Sequence, residues 1–178
     1  MTHSTGQEFL ERSRYYLAEE YPVKIRRCVA ALPEGAVWKR ANESSNSIGN
    51  LLLHLAGNVR QWIVGGVGGL PVTRDRPAEF AARDGPDAAT LLAGLESAVR
   101  EADAVMAGLT EADLLEPRTI QGRETNVLAA IYHVVEHFGM HTGQIVLMTK
   151  ASVPGAIRFY DDSVGNATPT WGGKEGMR

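Results

Sequence analysis

Apolar residues recur at spacings of three and four along four separate stretches of the chain. That period fits an α-helix with one buried face and fits no strand. The first stretch runs from about Ser4 to Ala31 and carries Phe9, Leu10, Tyr16, Leu17, Tyr21, Ile25 and Val29. Pro22 lies inside it, so a kink or break is expected there. Pro33 and Gly35 close it. The second opens after Asn46 or Ser47, either of which can cap it, and runs from Ile48 to about Val64. Five residues rich in glycine, 65–69, read as its stop and as a mobile loop. Asp87 caps the third, with Leu91, Leu92, Leu95, Val99, Ala102 and Met106 as its stripe. The fourth runs from Thr125 or Asn126 to about Lys150.

The intervals between them are weaker in signal. Thr73 to Gly85 is charged and interrupted by Pro77, and reads as a surface connection with at most one helical turn. Leu109 to Leu114 suits a short helix, and Pro117 to Thr125 an extended segment or turn. No stretch alternates convincingly, so the expected class is all-α: a four-helix bundle over residues 1–153 with an irregular tail over 154–178. Phe159, Tyr160 and Trp171 are the tail residues suited to packing locally.

Composition excludes several functions. A chain of 178 residues with 44% hydrophobic residues can build one core without staples. Its 18 basic and 21 acidic residues leave a net charge of −3, which gives no electrostatic claim on nucleic acid or anionic lipid. No apolar run approaches the roughly 20 residues that span a bilayer. The polar N-terminus lacks the apolar core of a signal peptide, so a cytoplasmic location is expected. Cys28, the single cysteine, has no internal disulfide partner and cannot form half of a Cys-pair zinc site. It reads as a buried structural thiol.

Of five histidines, His3 sits at the terminus and four lie on the second and fourth helices. His133, His137 and His141 follow one another at intervals of four. Neighbours at that spacing stand about 6 Å apart along the axis and share a face. The outer two are about 12 Å apart, so one ion can use only an adjacent pair. Val127, Ile131, Val134, Phe138 and Ile145 define the apolar stripe. At about 100° per residue His141 falls within it, His137 at its margin and His133 toward the polar side. An inward-facing site therefore takes His137 and His141, leaving His133 in a supporting or solvent-facing place. His54 holds a matching margin on the second helix and supplies a third imidazole if the two helices are neighbours. Three neutral imidazoles leave coordination positions open, as at a catalytic metal. The competing reading is ordinary: histidines at a core margin hydrogen-bonded to a carbonyl or carboxylate.

The run Asn46-Ser47-Ile48-Gly49-Asn50-Leu51-Leu52-Leu53-His54-Leu55, followed by His137-x3-His141-x2-Gln144, resembles the DinB-like family of metal-dependent proteins. The resemblance covers roughly residues 5 to 150. It implies an up-down-down-up bundle, commonly a homodimer, with a divalent metal (zinc, nickel, iron or manganese) on His54, His137 and His141. It further implies a small-molecule substrate and, in some relatives, transfer or isomerisation reactions that use a low-molecular-weight thiol.

The leading expectation is thus a metal-dependent enzyme acting on a small molecule, as a thiol S-transferase or as a hydrolase. A non-catalytic metal- or ligand-binding dimer is the alternative. Asn58, one turn beyond His54, is placed to orient a ligand or substrate. Tyr15, Tyr16 and Trp62 suit either a pocket wall or core packing. Glu136 points to solvent, and Arg60, Arg74, Asp75 and Arg76 suit a solvated surface better than an anion site.

Overall fold

The computed structural model describes residues 4–163, 165 and 167–171. His3 lies outside them. The first helical arm comprises α1 (Thr5–Tyr15) and α2 (Tyr21–Ala30), joined without a break by π-helical turns over Tyr16–Glu20. Ser4 opens the arm with a reciprocal cap: its Oγ accepts from Gln7 N–H at 3.2 Å, and Gln7 Oε1 accepts from Ser4 N–H at 3.0 Å. Of the kink or break expected at Pro22 there is no break; regular α-helix gives way to π turns just before it and then resumes. A proline removes an N–H and crowds the carbonyl four residues back. The wider π turn just before Pro22 absorbs both defects, and the arm continues.

Helix α3 (Ile48–Val59) starts on Ser47, whose Oγ accepts from Asn50 N–H at 3.1 Å. It passes into π turns over Arg60–Val67, beyond the expected stop at Val64. The glycines read as a mobile loop are largely packing positions. A Cβ on Gly66 would meet the Ile120 side chain, and one on Gly68 would stand 2.8 Å from Val105. The left-handed turn comes later, at Gly69 with φ 69°.

One further correction and one agreement concern the connections. Residues 73–85 run mostly exposed, as a surface connection, but they contain α4 (Arg76–Ala81), N-capped by Asp75 and longer than the one turn expected, which turns Glu79 inward and buries it. Beyond α5 (Ala88–Ala107) and a 3₁₀ turn over Glu111–Leu115, strands β1 (Pro117–Ile120) and β2 (Arg123–Asn126) form a tight antiparallel hairpin. Gln121 and Gly122 both take positive φ at its turn, 55° and 71°, as a two-residue hairpin loop requires. Helix α6 (Val127–Ser152) follows, capped by Asn126 Oδ1 accepting from Ala129 N–H. In the described part of the tail, β3 (Tyr160–Asp161) pairs with β4 (Thr168–Pro169). The tail is pinned to the first arm by Arg27, which donates to the Arg158 carbonyl and Thr170 Oγ1.

The fold is all-α apart from these short strand pairs. The first arm packs on α5 and α6, and α3 packs on the same two helices from the other side. Helices α3 and α6 are therefore direct neighbours, which is the condition for His54 to meet the histidines of α6. The stripe read from the sequence of α6 is the one that is buried: Val127, Ile131, Val134, Phe138 and Ile145 have no exposed surface. Cys28 is fully buried too, and burial pushes its thiol up from the usual cysteine range. No helix among the described residues is long and apolar enough to cross a membrane.

Phe138 stacks on Tyr21 with ring centroids 5.7 Å apart and locks α6 to the first arm. Phe138→Ala is expected to cost about 3–5 kcal/mol in denaturant unfolding, against about 0.5 kcal/mol or less for Leu147→Ala on the exposed face.

Candidate metal centre

Helices α3 and α6 bring three imidazoles to one point. His54 Nε2 lies 3.1 Å from His137 Nε2, which lies 3.1 Å from His141 Nε2. The candidate ligand atoms of all three fall within 4.8 Å of one another. His54 is 4% exposed and His141 8%, so two of the three are shielded from water. His137 is half-buried. Burial, and after it the neighbouring His141 and His54, push His137 down to about 3 from the usual 6.5. Burial likewise lowers His141. Both imidazoles are therefore neutral at pH 7, the state in which a ring nitrogen can donate a lone pair to a cation.

Their outer nitrogens fix which atoms face inward. Glu79 Oε2 lies 2.9 Å from His54 Nδ1. Arg74 Nη2 also stands 3.0 Å from this nitrogen, but it already donates to Glu79 Oε2; the carboxylate can only accept, so with the proton on Nδ1 His54 satisfies Glu79 and turns its Nε2 lone pair into the cluster. Gln144 Oε1 lies 2.7 Å from His141 Nδ1 and imposes the same tautomer there. Lone pairs facing one another at such distances repel unless a proton or cation stands between them. Two nitrogens bound at about 2.0–2.1 Å to one ion lie roughly 2.9–3.4 Å apart for angles of 90–110°. The observed 3.1 Å separations fit that range, and an all-imidazole donor set suits zinc, nickel or iron better than magnesium or calcium.

Glu79 is itself held by design of the local sequence. Arg74 Nε donates to its Oε1 at 2.6 Å and Arg74 Nη2 to its Oε2 at 2.8 Å. Burial alone would raise the Glu79 carboxyl, but the hydrogen bonds from Arg74 and His54 outweigh it and hold it below the usual carboxylate range. Asn50 Nδ2 donates to the Glu79 and Ala82 carbonyls, which ties α4 to the start of α3. Gly57 faces the pair: a Cβ there would collide with Glu79 Oε1 and stand 2.8 Å from Arg74 Nε. Phe80 packs on the His54 ring with centroids 4.5 Å apart.

His133 stays outside the cluster, as its wheel position implies. It packs against Trp62 with centroids 4.3 Å apart and the rings tilted by 50°, and stands 5.6 Å from His137. Glu136 is exposed. The reading of Arg74 as a solvated charge is overturned by its pairing with Glu79, and Asp75 serves as the cap of α4. Arg60 spends its guanidinium on Glu101 in two bonds, and Arg76 lies over Phe80. Sequence reasoning missed Glu79 and Arg74 as parts of the site. Their only signal was a carboxylate and an arginine in a short segment opened by an Asp cap and a proline.

The side chains of Arg74 and Glu79 are only 5% and 10% exposed, whereas Arg60 and Glu101 are 32% and 40% exposed. Arg74→Met strands a buried carboxylate and is expected to destabilise the fold by about 3–5 kcal/mol. Arg60→Met should cost about 1 kcal/mol or less, and the two can be compared by chemical denaturation.

No curated protein matches the chain. The sequence profile described as Mycothiol-S-transferase matches residues 15–149, a span that contains all three imidazoles and both arms of the Arg74–Glu79 pair. With three quarters of its length inside that match, the chain belongs to the mycothiol-S-transferase family, a DinB-like family.

Proposed function

We propose that the protein is a divalent-metal-dependent S-transferase that joins a low-molecular-weight thiol, mycothiol in the first instance, to a small electrophile. The observation that carries this reading is the convergence of three imidazoles whose Nε2 atoms face one another, two of them locked by Glu79 and Gln144. The family match supplies the thiol. His54, His137 and His141 would hold the ion. When bound, a divalent cation at these nitrogens favours the deprotonated form of a thiol.

The chain's own side chains account for the remainder. Glu79 and Arg74 keep the His54 ring from turning, and Phe80 closes one side of it against water. Trp62 and His133 form an aromatic wall beside His137. In the net reaction a sulfur–carbon bond forms and the bond from that carbon to its leaving group breaks. The electron pair departs with that group, and the thiol proton goes to solvent. The same reading takes the protein to act as a cytoplasmic homodimer, in line with the DinB-like resemblance.

A hydrolase would call on a free base near the imidazoles. Among the described residues the carboxylate against them is Glu79, and both its oxygens are engaged. That favours a thiol over water as the nucleophile.

The test is alkylation of mycothiol by a chromogenic electrophile, followed with and without added zinc and after chelation. His137→Ala should lower the metal-stimulated rate by about a hundredfold or more, since loss of a direct ligand exceeds the 10–100-fold typical of outer contacts. His133→Ala should retain most of it. Equal losses in the two variants, or a rate indifferent to chelation, would contradict the proposal.

A further inference from the structure

Two of the three imidazoles have a side-chain oxygen on Nδ1. The third does not: His137 Nδ1 is buried with no hydrogen-bond partner. The facing helix carries the complementary orphan. Asn58 is 4% exposed, and its Oδ1 is buried and unpartnered. An unmade pairing of a buried donor and a buried acceptor is costly, so two such atoms in one layer of a core call for an explanation.

Their placement supplies it. Asn58 lies one turn beyond His54 and one turn before Trp62. His54 meets His137, with ring centroids 4.9 Å apart, and Trp62 meets His133 at 4.3 Å. His133 and His137 are themselves one turn apart on α6. Asn58 is thus set midway along the edge of α3 whose two ends are paired with His137 and His133. The π turns that begin at Arg60 carry Trp62 on to His133.

We propose that Asn58 is the positioning residue of His137: its Oδ1 accepts the Nδ1–H of His137 through one bridging water, and so fixes the tautomer that presents Nε2 to the ion. The outer contacts are then complete, with Glu79 on His54, Gln144 on His141 and Asn58 on His137. The inference rests on the metal reading above and concerns a residue that makes no contact with the ion.

The experiment is a titration of the full chain with Zn²⁺ against a chromophoric chelator, in the parent, Asn58→Leu and Asn58→Asp. Thermal unfolding of each metal-free protein is recorded alongside. Asn58→Leu should weaken zinc binding by about tenfold to a hundredfold, the usual range for an outer partner of a ligating histidine. Its metal-free form should still unfold cooperatively, with a melting temperature lowered by a few degrees because the His137 Nδ1–H loses its acceptor. Asn58→Asp keeps the acceptor and should bind zinc within about threefold of the parent or more tightly. Parent-like zinc binding by Asn58→Leu, or equal weakening by both variants, would overturn the assignment. Should the parent itself take up no zinc, the metal reading fails, and ¹⁵N shifts of the His137 ring still decide this one. A single Nδ1–H tautomer in the parent that becomes mixed in Asn58→Leu supports it, and identical shifts overturn it.

Discussion

A buried carboxylate on a short, easily overlooked helix governs the orientation of the whole cluster. Glu79 can accept from His54 Nδ1 only while Arg74 neutralises it, because a lone carboxylate with 10% exposure would take up a proton or draw in water. Once the pair is formed, the His54 ring is fixed and its Nε2 faces α6. Much of the surrounding sequence serves that arrangement. Asn50 holds the backbone of α4, Arg40 donates to both Asn50 Oδ1 and the Ala82 carbonyl, and Gly57 leaves the space that the guanidinium and carboxylate fill.

The helical scaffold supplies distance and register. Helices α3 and α6 pack on each other, with α6 also against the first arm and α3 also against α5. Leu51, Leu55, Val134 and Phe138 on the same two helices are fully buried, and the histidines share that burial in large part. That burial lowers His137 and His141 from the usual histidine range and keeps them as lone-pair donors. The two π segments are part of the same economy of shape. One lets the first arm pass Pro22, and the other prolongs the α3 arm through a glycine-rich stretch so that Trp62 can cover His133.

Much of this was legible in the sequence where a periodic signal existed. The apolar stripe of α6 placed His141 inside and His133 outside, and the caps at Ser47, Asp87 and Asn126 fall where short polar residues precede apolar runs. What escaped lay between the periodic segments. Residues 73–85 carry three arginines, two aspartates and a glutamate, a composition that reads as solvated surface, and burial of the Arg74–Glu79 pair is a tertiary fact with no local signature. Pro22 marked a departure from regular α-helix, which the π turns over Tyr16–Glu20 provide, without marking its form. Glycines 66 and 68 looked like a loop because their contacts with Ile120 and Val105 come from distant parts of the chain.

The central claim is that the three imidazoles hold one divalent ion. Elemental analysis of untagged protein, set beside the variant His54→Ala/His137→Ala/His141→Ala, tests it most directly. The account predicts about one metal ion per chain in the parent and none in the variant, as a three-imidazole site requires. Failure of the parent to retain metal after loading with zinc, nickel, iron and manganese, or equal retention by the variant, would contradict it.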